Sequence, residues 1–295
     1  MIIKNQGLSK TEWLAFVLIF IATILSFIGL NASAFHDNYL KVYFLDVGQG
    51  DAEFIQAPNG NQILIDGGPD GKIIQELGKI MPFNDHSIDL VILTHPHADH
   101  VNGLIEVLKR YQVDKIIEND VPYDSPEHTQ WENDKTKTEV IEAHTGQVID
   151  LGNNITLNIL FPDQSGLAPS EKIKNVHDFM VVSRLDYGQE RVLFMGDTEA
   201  KLEHRLVLTY GADLGAQFLK IGHHGSKTST TEELLNTVKP IRVFIEVGAK
   251  NKYGHPSQQT IDRLESSGIK YYRTDINGRV ELDMDGQSYK ITAEH

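Results

Sequence analysis

The sequence predicts an α/β fold of two sheets packed face to face with helices outside, preceded by one N-terminal membrane-spanning helix. Three observations predict it. Short apolar runs bounded by Gly, Asn and Asp alternate with helical patterns in two successive halves. A His- and Asp-rich loop falls at a strand-to-helix junction, where α/β folds place their sites. An uncharged apolar stretch of eighteen residues, 13–30, stands near the start.

That stretch is just long enough to cross a bilayer core as a helix. Lys4 and Lys10 precede it, so the start of the chain is expected in the cytoplasm and the remainder outside. The expected division is a cytoplasmic 1–12, a span over 13–30, a linker over 31–39 and a single domain over 40–295. Ala32-Ser33-Ala34 would suit signal cleavage, which leaves a secreted form open. The apolar length favours an uncleaved anchor.

In the first half, 41–47 and 52–56 read as strands across a Gly-broken turn. Asn59-Gly60 signals a hairpin into 62–65. A helix over 71–81 leads to the strand 89–93. The helical pattern 101–110 and a short strand over 115–117 follow. The polar stretch 119–146 reads as irregular, a surface excursion beside the site that serves as lid, substrate wall or plain solvated loop. In the second half, 147–151, 155–161, 179–186 and 191–195 read as strands, with Asn153-Asn154 and Gly188-Gln189 as turns. A helix over 199–208 precedes the strand 217–221. Helices over 230–238 and 257–267 flank the strand 241–246. Strands over 269–272, 279–282 and 289–292 close the domain.

Thr94-His95-Pro96-His97-Ala98-Asp99-His100 places three imidazoles and a carboxylate within six residues. Neutral His and ionised Asp suit Zn²⁺, and also Mn²⁺ or Fe²⁺. His95 and His97, two apart on a loop, can face one ion, while Asp99 and His100 point to a second position. With no cysteine, every ligand must be nitrogen or oxygen, and no disulfide-linked partner is expected.

The run resembles the HxHxDH signature of the metallo-β-lactamase superfamily. Asp46-Val47-Gly48-Gln49-Gly50-Asp51, Ile65-Asp66-Gly67-Gly68, Met195-Gly196-Asp197, His223-His224-Gly225-Ser226 and Gly254-His255-Pro256 follow the order seen in the metallo-β-lactamase-like domain of ComEC-type competence proteins. The resemblance runs from about residue 40 to the C-terminus. It implies a four-layer αββα sandwich holding two divalent ions, with Zn²⁺ first in line. Asp197 would bridge both ions, although it also suits a helix N-cap. Many superfamily members place a His at the position of His177, where it completes the site of His95 and His97, so His177 is a candidate third ligand there; the alternative is an exposed His beside the loop 172–176. ComEC-type domains often have Asn there and Ser three residues on, so His177 and Met180 depart from that pattern.

Adjacent side chains in an extended segment point opposite ways. His224 is therefore expected as ligand, and His223 as a substrate-facing or proton-donating group. Asp99 is expected to orient the nucleophile as well as bind metal. Asp46, Asp51 and Asp66 are candidate partners for the outer ring nitrogens of the ligand histidines. Ser226, Lys227 and His255 are candidate substrate contacts.

The implied activity is metal-dependent hydrolysis, as a phosphodiesterase or single-stranded-DNA nuclease linked to DNA uptake. Such proteins also carry a many-helix channel portion, so a separate channel protein would be a partner. Net charge of −14 makes a tightly held polyanion a poor fit and keeps small phosphoesters in view, such as a cell-wall choline phosphoester or a nucleotide. Hydrolysis of esters, lactones or β-lactams on the same site is the rival chemistry. A metal-stabilised binding module is the non-catalytic alternative.

Overall fold

In a computed structural model of the chain, residues 9–33, 39–163 and 175–295 are described. Among them, one sheet of eight strands faces another of seven. The first holds β1 (Leu40–Phe44), β2 (Glu53–Gln56), β3 (Gln62–Ile65), β4 (Ser87–Leu93), β5 (Gln112–Glu118) and β6 (Glu139–Glu142). The second holds β7 (Val148–Gly152), β8 (Ile155–Phe161), β9 (Val182–Tyr187), β10 (Glu190–Phe194), β11 (Phe218–Lys220), β12 (Arg242–Ile245) and β13 (Lys270–Arg273). The last two strands, β14 (Val280–Met284) and β15 (Tyr289–Ala293), return to the first sheet beside β1.

Both sheets are apolar on both faces, as a layered α/β fold requires. On β1, Val42 and Phe44 enter the core between the sheets, while Tyr43 faces the outer helices. Phe44 stacks on Phe244 of β12 at 3.9 Å, tying the sheets together. Outside the first sheet lie α2 (Lys72–Ile80), α3 (Ala98–Leu108) and α4 (Pro126–Asp134). Outside the second lie α5 (Ala200–Tyr210), α6 (Glu232–Val238) and α7 (Gln258–Ser266). Strands β3, β4 and β5 run parallel, as do β10, β11 and β12, so loops from both sheets converge at one edge.

One expectation changes. The stretch 119–146 contains α4 and β6, which pairs in parallel with β5. Its composition hid the helix, because Trp131 is the one buried residue of α4 and Ser125 caps its start. Trp131 Nε1–H donates to Glu118 at 2.6 Å. A helix, α1 (Lys10–Ser33), is present, with side chains described as far as Thr23. Among the described residues no helix is long and apolar enough to cross a membrane. The span expected over 13–30 runs beyond the described side chains, and part of the linker over 31–39 lies outside the described residues.

Candidate metal centre

The site begins where β4 ends. Thr94 to His97 form the turn and α3 starts at Ala98, so Asp99 and His100 lie in the first helical turn. Close docking of α3 depends on two glycines. A Cβ at Gly103 would stand 1.7 Å from the Gly67 carbonyl oxygen, and one at Gly67 would stand 2.4 Å from the Leu104 nitrogen. Gly67 N–H donates to the His100 carbonyl at 2.9 Å, and Gly103 N–H to the Gly68 carbonyl at 3.0 Å. Gly103→Ala is expected to destabilise the metal-free protein by about 1–3 kcal/mol, the usual cost of overpacking a tight contact. Thermal denaturation reads it, and an unchanged Tm would show that α3 shifts freely.

Four ligand-type side chains, His95, His97, His177 and Asp197, bring one N or O atom each within 4.8 Å of one another. Asp99, His100, Asp197 and His224 form a second such group, and Asp197 belongs to both. His97 Nδ1 lies 3.2 Å from His177 Nε2, two ring nitrogens turned toward a common point. His95 Nε2 lies 3.8 Å from Asp197 Oδ2. In the second group, His100 Nε2 is 3.3 Å from Asp197 Oδ2, and His224 Nε2 is 3.3 Å from Asp99 Oδ2 and 3.6 Å from Asp197 Oδ1. Ligands about 2.0–2.2 Å from one tetrahedral ion stand about 3.3–3.6 Å apart, so these separations suit shared cations.

The outer hydrogen bonds fix which ring nitrogens face inward. Thr94 Oγ1 donates to Asp66 Oδ2 at 2.6 Å, so its oxygen can accept only from His95 Nδ1–H, at 3.1 Å. His100 Nδ1 lies 2.8 Å from the same Asp66 oxygen. His224 Nδ1 faces the Glu246 carbonyl and Asp51 Oδ1, each at 3.0 Å. All three rings therefore carry a proton on Nδ1 and turn Nε2 to the centre. Among the described residues, His95 Nε2, His100 Nε2 and Asp197 Oδ1 are buried without a hydrogen-bond partner. Buried polar atoms are almost always satisfied, so these orphans fit a cation.

Electrostatics divides the two groups. Burial holds His95 well below the usual imidazole range and His97 down at about 4, and it lowers His177 as well. Burial also opposes charge on His100 and His224, but carboxylates outweigh it. Asp197 and Asp66 hold His100 well above its ordinary value, and Asp197 and Asp51 raise His224 to about 10. Burial likewise resists ionisation of Asp99, yet His224 and His100 bring it down to about 2.

The metallo-beta-lactamase superfamily model matches residues 45–240, which include both ligand groups. The chain belongs to the metallo-beta-lactamase superfamily. Within that superfamily it is similar to ComE operon protein 3 of Bacillus subtilis, 28% identical over 82% of this chain and 32% of that protein. It is also similar to Competence protein ComA of Neisseria gonorrhoeae, 27% identical over 96% of this chain and 37% of that protein. The chain thus spans about a third of the length of these curated relatives. Among solved structures, Tm1679, a metal-dependent hydrolase of the beta-lactamase superfamily, shares the fold. Its TM-score is 0.53 at 11% identity, covering 86% of this chain and all of that one.

The remaining predicted site residues of this superfamily member are distributed unevenly. His223 is half-buried, with Nε2 4.0 Å from Asp197 Oδ2. The separation of His223 from His224 arises differently from the expectation. The pair lies in a tight turn with φ of 49° and 53°, not in an extended segment. Asp197 does not cap α5; Glu199 occupies that position and leaves the Asp197 carboxylate to the rings. His255 approaches His223, with ring centroids 5.6 Å apart. Ser226 is buried, its hydroxyl 3.0 Å from Thr228 Oγ1. Lys227 is exposed. Asp46 lies apart from both ligand groups, pairing with Lys72 Nζ at 2.9 Å.

Two contributors were not read from the sequence. Glu199 Oε1 lies 3.4 Å from His223 Nδ1 and accepts from Thr228 Oγ1 at 2.8 Å. Its position two residues after Asp197 was the available signal. Behind His224, Lys220 is fully buried among Asp51, Glu53 and Glu246.

Proposed function

We propose that this chain is a dinuclear metal-dependent phosphodiesterase acting on single-stranded DNA or a related phosphodiester outside the cytoplasm. The sharing of Asp197 between two ligand groups carries this reading. His95, His97, His177 and Asp197 would hold one ion, and Asp99, His100, Asp197 and His224 the other, with Zn²⁺ best suited to the separations. The similarity to competence proteins supports a part in DNA uptake, with a separate polypeptide as channel. The apolar 13–30 stretch would anchor the domain to the membrane.

When bound, the ions supply Lewis acidity and a hydroxide nucleophile near neutral pH. The chain's own groups do the rest. Asp99, whose side chain is 30% exposed, turns a carboxylate toward the cleft and orients the attacking water. His223, braced by Glu199, donates a proton to the leaving oxygen. His255 lies beside it, and the exposed Tyr253 stacks on His255 with ring centroids 5.9 Å apart. The Lys252 ammonium lies 5.3 Å from the Tyr253 ring centre. An aromatic face with an adjacent cation suits a nucleobase next to its phosphate.

The net charge of −14 favours a second reading, a small phosphoester held only by the ions and these few cleft groups. One assay separates the two. The purified full chain, loaded with Zn²⁺ or Mn²⁺, is offered bis-p-nitrophenyl phosphate and labelled single-stranded DNA. Cleavage of both, reduced about 10²–10⁴-fold in Asp99→Ala, is expected. Cleavage of the small diester alone would replace DNA with a small phosphoester. Silence on both, with metal bound, would sink the phosphodiesterase reading and bring esters, lactones and β-lactams forward.

A further inference from the structure

Glu53, Lys220 and Glu246 break the apolar pattern of the sandwich. Each lies two residues from a side chain in the core between the sheets, namely Ile55, Phe218 and Phe244. Side chains two apart in an extended segment share a face, so three ionisable groups point where apolar ones belong. Such violations mark places where folding consistency has yielded to something else.

Lys220 has no exposed side-chain surface. Its ammonium pairs with Asp51 Oδ2, lies 3.5 Å from the Gly196 carbonyl, and is 3.9 Å from both Glu53 and Glu246. It therefore reaches from β11 of one sheet to the turn before β2 of the other. Stability is a poor account of it, because apolar residues of similar volume usually do as well as a buried ion pair. The other end of Asp51 is more informative. Oδ1 lies 3.0 Å from His224 Nδ1. Asp51 N–H donates to the Asp99 carbonyl at 3.3 Å, and the Asp51 carbonyl accepts from Gly68 N–H at 2.8 Å. The residue is tied at its backbone, so the ammonium determines how its carboxylate is turned.

We propose that Lys220 is a positioning residue for the Asp99, His100, Asp197 and His224 group. Its ammonium anchors Asp51, and Asp51 holds the His224 ring with Nε2 toward Asp99 and Asp197. The other ligand group is braced elsewhere, by Thr94 at His95 and by Asn175 Oδ1, which accepts from His177 N–H at 3.2 Å. Lys220 therefore acts on one ion and not on the other. This inference rests on the dinuclear reading.

The test is calorimetric titration of the purified, metal-free full chain with Zn²⁺, with Co²⁺ absorption as an independent view of each site. Two variants are compared with the parent: Lys220→Met, and Asp51→Asn with Lys220→Met, which removes both charges of the pair should the first fail to fold. Folding is checked by thermal denaturation. The expected result is a first ion at parental affinity and a second weakened about 10–100-fold, the usual cost of removing support behind a ligand. Parental affinity for both ions in a folded variant, or equal weakening of both, would overturn the proposal and leave Lys220 a purely structural charge. A parent chain that takes only one ion overturns the dinuclear reading and this inference with it, before any variant is measured.

Discussion

Asp197→Asn is expected to lose metal from both ligand groups and to lower turnover by about 10³-fold or more, the scale of removing a central electrostatic group. Asp197 is the only residue common to the two groups among the described residues. It is 2% exposed, with Oδ2 near His95 and His100 and Oδ1 near His224. Asparagine keeps the shape but removes the charge that two cations would share, and it offers one oxygen in place of two. Elemental analysis after dialysis reads the metal, and steady-state kinetics reads the chemistry. Asp46→Asn is the matched control, because Asp46 pairs with Lys72 away from both groups. A variant at 197 that keeps both ions and normal turnover would remove the bridging role altogether. Loss of one ion alone would assign Asp197 to a single site.

Much of the fold and the candidate ligands were legible for the same reason. His95, His97, Asp99 and His100 are dense in sequence, and their chemistry has few other uses. The strands around them are short, apolar and bounded by turn residues. Asp197 was implied by the resemblance to the superfamily, and His224 was marked by its place after a strand end in a Gly-containing turn. What escaped depends on contacts distant in sequence. Lys220 falls inside the expected strand 217–221 without any sign of its role, and it is completely buried only because the facing sheet brings Asp51 and Glu53 against it. Glu53 and Glu246 were hidden in the same way, since acids at strand ends ordinarily meet water. The helix α4 escaped because one tryptophan cannot make a periodic stripe. Its burial follows from Glu118, thirteen residues earlier, which accepts the indole hydrogen.

The two ions are expected to load with different pH dependence. In the metal-free protein, burial keeps His95 and His97 neutral at pH 6, so their lone pairs are free without proton release. His100 and His224 are protonated there, because Asp197, Asp66 and Asp51 favour the charged rings against burial. A cation entering the second group must displace those protons, so its apparent affinity rises with pH by about tenfold per unit for each proton lost. The rise continues until pH nears about 10, where His224 would deprotonate unaided. Between pH 6 and 8 the first ion should change little while the second tightens by about 10²-fold or more. Asp197 couples the steps. An ion in the first group draws on the carboxylate that keeps His100 and His224 charged, which eases their deprotonation and favours the second ion. Calorimetric titrations with Zn²⁺ in buffers of different ionisation enthalpy count the protons released at each step. Equal pH slopes for both ions, or no proton release at the second, would show that the carboxylates do not hold these two rings charged.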